Sequence, residues 1–129
     1  MIDLSENQLQ GRLPKSLTNC NNLEVLDVGR NHIDDTFPSW LGSLPKLHTL
    51  ILRENNFRGK ITSPKASLYF RSLHIIDLSK NFLSGDLPFE YLLNWDSMKI
   101  TTERQSTMLN GKFTHFTCLF HPLLARIIT

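Results

Sequence analysis

One pattern, IxLxxNxLxG, recurs four times at a nearly fixed spacing. Ile2-Asp3-Leu4 leads to Asn7, Leu9 and Gly11; Leu26-Asp27-Val28 to Asn31 and Ile33; Leu50-Ile51-Leu52 to Asn55, Phe57 and Gly59; Ile76-Asp77-Leu78 to Asn81, Leu83 and Gly85. The first members lie at 2, 26, 50 and 76, so the steps are 24, 24 and 26 residues. Apolar residues two apart, with an outward residue between them, describe a short strand with one buried face. No single unit of this length stands alone. Around seven buried apolar side chains at ~2 kcal/mol each do not offset roughly 1–2 kcal/mol of backbone entropy per residue, so stacking of neighbouring units must supply the rest. Short connections make the stacking parallel, with strands about 4.8 Å apart and equivalent side chains in columns.

A period in the twenties containing LxxLxLxxNxL predicts an α/β leucine-rich-repeat solenoid with a curved parallel β-sheet and about three and a half repeats. The expected units are a partial repeat at 1–22, full repeats at 23–46, 47–72 (with an insertion) and 73–96, and an irregular, disordered tail at 97–129. Asn7, Asn31, Asn55 and Asn81 fall where the chain must turn. Their amides are expected to bond backbone groups that the turn leaves unpaired, a structural role. Gly11, Gly59 and Gly85 mark positions of unusual dihedral angle, with Asp35 standing in once. Pro14, Pro38 and Pro88 are expected to keep the convex side extended.

Composition narrows the partners. Residues 1–96 carry ten basic and eleven acidic side chains, so the repeats are nearly neutral and no nucleic-acid partner is expected. The longest apolar stretch, 116–128, is broken by His121, Pro122 and Arg126, well short of the ~20 residues a membrane span needs. Cys20 occupies the place where another repeat has Leu44 and is expected to be a small buried hydrophobe, while Cys118 has no motif around it. No Asn-x-Ser/Thr acceptor occurs, and GxGxxG, P-loop, HExxH and CxxC patterns are absent.

The outward strand positions form the candidate binding face. One column reads Asp3, Asp27, Ile51, Asp77; beside it run Ser5, Gly29, Arg53, Ser79; the next is Glu6, Arg30, Glu54, Lys80. Mixed charge on a concave face suits a peptide or protein ligand held by many modest contacts. Asp3 and Asp27 as near neighbours invite a two-carboxylate hydrolase reading, but an open, wet face gives neither acid a tuned environment, and no catalytic residue or enzyme activity is expected. Glu24, His48 and His74 share a column, yet zinc would need convergent geometry, so no metal or other cofactor is expected. Phe89, Leu92, Leu93 and Met98, with Trp95, suggest a short helical element covering the last rung.

The longer consensus LxxLxxLxLxxNxLxGxLPxxLxxL, with its Leu-Pro steps at Leu13-Pro14 and Leu87-Pro88, resembles plant leucine-rich-repeat receptor-like proteins of the disease-resistance class. The likeness covers about residues 1–105 and is similar to the repeats just before the non-repeat island, where Met98-Lys99 and Thr101-Thr102-Glu103-Arg104 resemble the island's start. The repeat with inserted Ser63-Pro64-Lys65-Ala66-Ser67 agrees with that place. The resemblance implies ligand perception in defence signalling at the outer face of the plasma membrane, through a co-receptor kinase. A secreted inhibitor of a microbial wall-degrading enzyme and the ectodomain of a receptor kinase are the alternatives. Met1 opens onto a half repeat, so a piece of a longer solenoid, or a truncated gene product with residues 106–129 dispensable, is expected.

The register makes opposite demands on adjacent positions. Leu52→Asp is expected to abolish cooperative thermal unfolding, whereas Arg53→Asp retains it, since one side chain faces the core and the next faces solvent. Equal behaviour of the two variants in calorimetry would contradict the register.

Overall fold

Leu26, Leu50 and Ile76 lie side by side on the inner face of a four-stranded parallel sheet, all three sealed from solvent. The computed structural model describes residues 1–65 and 67–95. Strands β1 (Ile2–Asp3), β3 (Val25–Asp27), β5 (Thr49–Ile51) and β7 (Ile75–Asp77) form this sheet in the order β1-β3-β5-β7. Between them, β2 (Gln10–Gly11) pairs with β4 (His32–Ile33), and β6 (Arg58–Lys60) with β8 (Phe82–Ser84), on the flank after each asparagine turn. Backbone bonds Asn56 N–Ile33 O (2.8 Å) and Arg58 N–Asp35 O (2.9 Å) join those two flank sheets. This is the curved leucine-rich-repeat solenoid that the period predicts.

The return legs that begin at Pro14, Pro38 and Pro88 are helical rather than extended. 3-10 turns at Lys15–Asn19 and Ser39–Ser43 and a six-residue helix α1 (Phe89–Asn94) each follow one of the prolines. Pro14, Pro38 and Pro88 have φ of −72°, −80° and −57°, and their carbonyls accept the first turn's bonds from Leu17, Leu41 and Tyr91. A ring-fixed φ and a missing N–H suit the entry to a helical turn, so the prolines start these turns instead of preventing them.

From the second rung on, each asparagine of the repeat binds two rungs at once. Asn55 Nδ2 donates to Leu52 O and Arg53 O in its own turn and to Val28 O of the preceding rung, while its Oδ1 accepts from Ile33 N. Asn31 and Asn81 repeat the arrangement toward Leu4 O and Leu9 N, and toward Leu52 O and Phe57 N. Asn7 lies on the first rung and holds only its own turn, at Leu4 O and Ser5 O. The residue just before each asparagine is left-handed: Glu6, Arg30, Glu54 and Lys80 have φ of 56°, 55°, 53° and 52°. That conformation costs roughly 1–2 kcal/mol per non-glycine residue. In the first three rungs it aims the residue's N–H at the next rung, with Glu6, Arg30 and Glu54 donating to Gly29 O, Arg53 O and Ser79 O. Gly59 and its equivalents are also left-handed, but Asp35 is not; its carboxylate instead accepts Leu13 N and Thr36 N.

The two extra residues of the third repeat are absorbed on the return leg. There the carbonyl of Leu68 passes 2.5 Å from where a Cβ on Gly42 would stand, so only glycine admits the longer loop. Behind it Phe37, Phe70, Tyr91 and Trp95 pack in one aromatic cluster, with centroids about 6 Å apart, the distance at which tilted and edge-on rings attract. Tyr91 of α1 and Trp95 just after it are buried, while Leu93 is exposed. Burial pushes the Tyr91 hydroxyl up to about 12.

At the other end the first rung has no described neighbour before it. Leu4 and Leu9 are exposed there, and so is Cys20, which lines a depression with Met1, Asn19, Asn21, Asn22 and Leu23. The expectation of a buried Cys20 therefore fails: Leu44 is enclosed by rungs on both sides and Cys20 by one. Ala66, Met98, Cys118 and the tail at 106–129 lie outside the described residues.

Asn55→Leu is expected to destabilise the chain by about 3 kcal/mol, because the backbone groups it serves are left buried and unpaired. Asn7→Leu should change stability by no more than ~0.5 kcal/mol, as an exposed position does. Denaturant unfolding of both variants, with similar losses in each, would overturn the cross-rung role.

Candidate ligand-binding face

Parallel pairing in register fixes the columns. Asp3 is opposite Asp27, Asp27 opposite Ile51, and Ile51 opposite Asp77, so residues 24 to 26 apart become neighbours on the outer face of the sheet.

The aspartates of this column are committed locally. Asp3 Oδ1 accepts from Ser5 N (3.0 Å) and Ser5 Oγ (2.7 Å), Asp27 Oδ1 from Gly29 N (2.8 Å), and Asp77 Oδ1 from Ser79 N (3.0 Å) and Ser79 Oγ (2.6 Å). They shape the bend as each strand ends. Asp77 is buried, at 7% exposure, rather than solvated as an outward position suggests. The hydroxyl and amide of Ser5 hold the Asp3 carboxyl below its usual range. A general acid needs the opposite shift.

Along the ridge of left-handed residues the charges alternate in sign from rung to rung. Arg30 pairs with Glu6 through Nη1 and lies 3.6 Å from Glu54 through Nε, and Lys80 Nζ donates to the same Glu54 Oε1 at 3.2 Å. The Lys80 ammonium holds the Glu54 carboxyl low, with Arg30 adding to the effect, and Glu6 and Glu54 raise Arg30. Glu6, Arg30, Glu54 and Lys80 are thus engaged with one another.

The middle column differs. Ser5 and Ser79 point their hydroxyls at Asp3 and Asp77. Gly29 has no side chain, and the stem of Arg53 lies over it, with Cγ 3.2 Å from the place of a Cβ; Ile51 and Asp27 close the other sides at 3.4 and 3.1 Å. Among the described residues the Arg53 guanidinium makes no hydrogen bond or ion pair, and Arg53 as a whole is partly buried in the middle of the face. Sequence spacing found all three columns. It missed which members neutralise each other, since that depends on the left-handed turn that turns the third column into a ridge.

On the rim at the strand entrances, His48 Nε2 is 3.9 Å from Glu24 Oε2, and the rings of His48 and His74 meet edge-on with centroids 5.9 Å apart. His74 Nδ1 is bonded to Ser72 O at 2.7 Å. Among the described residues no cluster of three ligating side chains forms a metal site, and no helix is long and apolar enough to cross a membrane.

Residues 1–57 match the profile of the leucine-rich-repeat family. Receptor-like protein 18 of Arabidopsis thaliana is 43% identical over 112 residues, which is 87% of this chain and 13% of that protein. Receptor-like protein 43 of the same plant is 48% identical over 97 residues, 75% of this chain and 13% of that protein. The chain belongs to the plant leucine-rich-repeat receptor-like proteins. It spans about an eighth of the length of these two relatives. Among solved structures, the ectodomain of the receptor kinase SOBIR1 from Arabidopsis thaliana superposes with a TM-score of 0.60 at 30% identity, covering 71% of this chain and 48% of that one. The plant peptide hormone receptor RGFR1, in complex with RGF2, gives 0.56 at 31% identity, covering 77% and 19%.

In this receptor-like chain, Glu54→Gln is expected to lower the melting midpoint by a degree or two at pH 7 and low salt. The folded-state carboxyl is depressed, so its contribution is complete above the unfolded value near 4.5 and disappears as pH falls through the lower folded value. The gap between variant and wild type should narrow as pH falls below 4.5, and close in ~1 M salt, where ions screen exposed pairs. A gap that is constant across this range would mean the ridge does not act through charge.

Proposed function

We propose that the outer strand face binds an extended peptide or protein ligand, as part of the recognition surface of a plant cell-surface receptor-like protein. The observation that carries this reading is the face itself: three columns of mostly polar and mixed-charge residues, most of them at least partly exposed, run across four parallel strands with the leucine core behind them. An extended ligand crossing the strands would meet equivalent positions at about 4.8 Å intervals, each contributing a modest contact. Likeness to a peptide hormone receptor solved with its ligand supports the same choice.

Placement at the outer side of the plasma membrane, a role in defence signalling and reliance on a co-receptor kinase belong to the whole receptor-like protein and are proposed here for it. The likeness to the ectodomain of a receptor kinase is support for an extracellular solenoid.

The test uses a synthetic library of random dodecapeptides selected on the full chain. Amide exchange with a selected peptide bound is expected to show added protection at 25–30, 49–54 and 75–80. Protection confined to the return turns at 15–19 and 39–43, or a library that yields no binder, would sink the proposal.

A further inference from the structure

We infer that Arg53 is the anchor for a single carboxylate of the ligand, with Ile51 receiving an adjacent apolar side chain. The inference rests on the peptide-binding reading above and specifies the chemistry of that ligand.

Among the described residues three cations stand on the strand face, and two are already satisfied. Arg30 is held by Glu6 and Glu54, and Lys80 by Glu54. Arg58, on the flank, is held by Asp34 at 2.8 Å. Arg53 differs in having no such partner among the described residues, while its stem is packed down over Gly29. Packing of the stem fixes the side chain in place, so less rotamer entropy remains to be lost when the guanidinium engages a ligand. A planar guanidinium offers paired donors that match a carboxylate.

The surroundings set the limit on charge. Asp27 and Asp77 flank Arg53 in the neighbouring column, Asp27 turned toward Gly29 and Asp77 toward Ser79. One added carboxylate complements the guanidinium, whereas a run of acidic residues is repelled by the two aspartates. Ile51, between those aspartates and only partly covered, supplies the one apolar step in its column. The ligand segment that fits is therefore extended, has one acid, and has an apolar residue close to it in sequence.

The probe is again a dodecapeptide from the random library, each member having a free carboxyl terminus. A selected peptide is expected to contain one acid near an apolar residue and to lose at least ten-fold in affinity for Arg53→Gln. Changing its Asp or Glu to the amide, or amidating its terminus, should cause the same loss in one of the two cases, which tells a side-chain carboxylate from a terminal one. The peptide lacking that carboxylate should bind wild type and Arg53→Gln equally. Arg58→Gln removes one positive charge elsewhere and should leave affinity within two-fold. Melting midpoints check that both variants fold. A peptide that protects the strand face yet is indifferent to Arg53→Gln overturns this inference and leaves the binding face standing; equal losses in Arg53→Gln and Arg58→Gln, showing mere charge attraction, overturn it too.

Discussion

Where each strand ends, the chain turns inward and leaves carbonyls and an amide facing the core without a strand to pair them. One carboxamide per rung answers these groups. Its two N–H donors are shared among three carbonyls, two local and one on the rung before, and its oxygen takes an amide of that same rung. Burying such groups unpaired costs about 1–3 kcal/mol each, so the turn exists only where the asparagine does. Everything on the outer face follows from it. The left-handed residue before the asparagine raises the charged ridge, and the strand before that holds the aspartate and arginine columns at one height from rung to rung.

That ridge and the middle column divide the candidate site into two kinds of surface. Glu6, Arg30, Glu54 and Lys80 satisfy each other across rungs and contribute little attraction for a visiting charge, since exposed pairs of this kind are worth about 0–1 kcal/mol and already have partners. Arg53 is different because the rung before it has glycine where the others have serine or arginine. The bare Gly29 leaves room for the Arg53 stem, and among the described residues the Arg53 head group has no partner.

Much of this was legible in the sequence because it is periodic. Strand positions, the parallel register, the inward leucines and the three outward columns are all fixed by a repeat of 24 to 26 residues. What escaped was whatever depends on a residue's being at an end or on a conformation its identity does not announce. Cys20 aligns with a buried leucine but sits on the terminal rung. Asp77 is outward by alternation, yet Ser79 folds over it. Glu6, Arg30, Glu54 and Lys80 give no hint of a left-handed backbone, which in a glycine would have been anticipated and in these residues is imposed by the ladder. The prolines suggested extended returns, and only the carbonyl bonds from Leu17, Leu41 and Tyr91 reveal the helical turns.

The asparagine contacts all point one way. Asn31 reaches to Leu4 and Leu9, Asn55 to Val28 and Ile33, Asn81 to Leu52 and Phe57, always toward the rung made earlier in the chain. Each described rung after the first carries its own clasp and closes it on a predecessor. A chain emerging amino end first from the ribosome can then close each later asparagine clasp on sequence already made, while the backbone bonds to the following rung, such as Arg30 N to Arg53 O, wait for it. The direction of synthesis and the direction of the clasp coincide, so assembly can proceed as a ratchet rather than as a search over the finished chain.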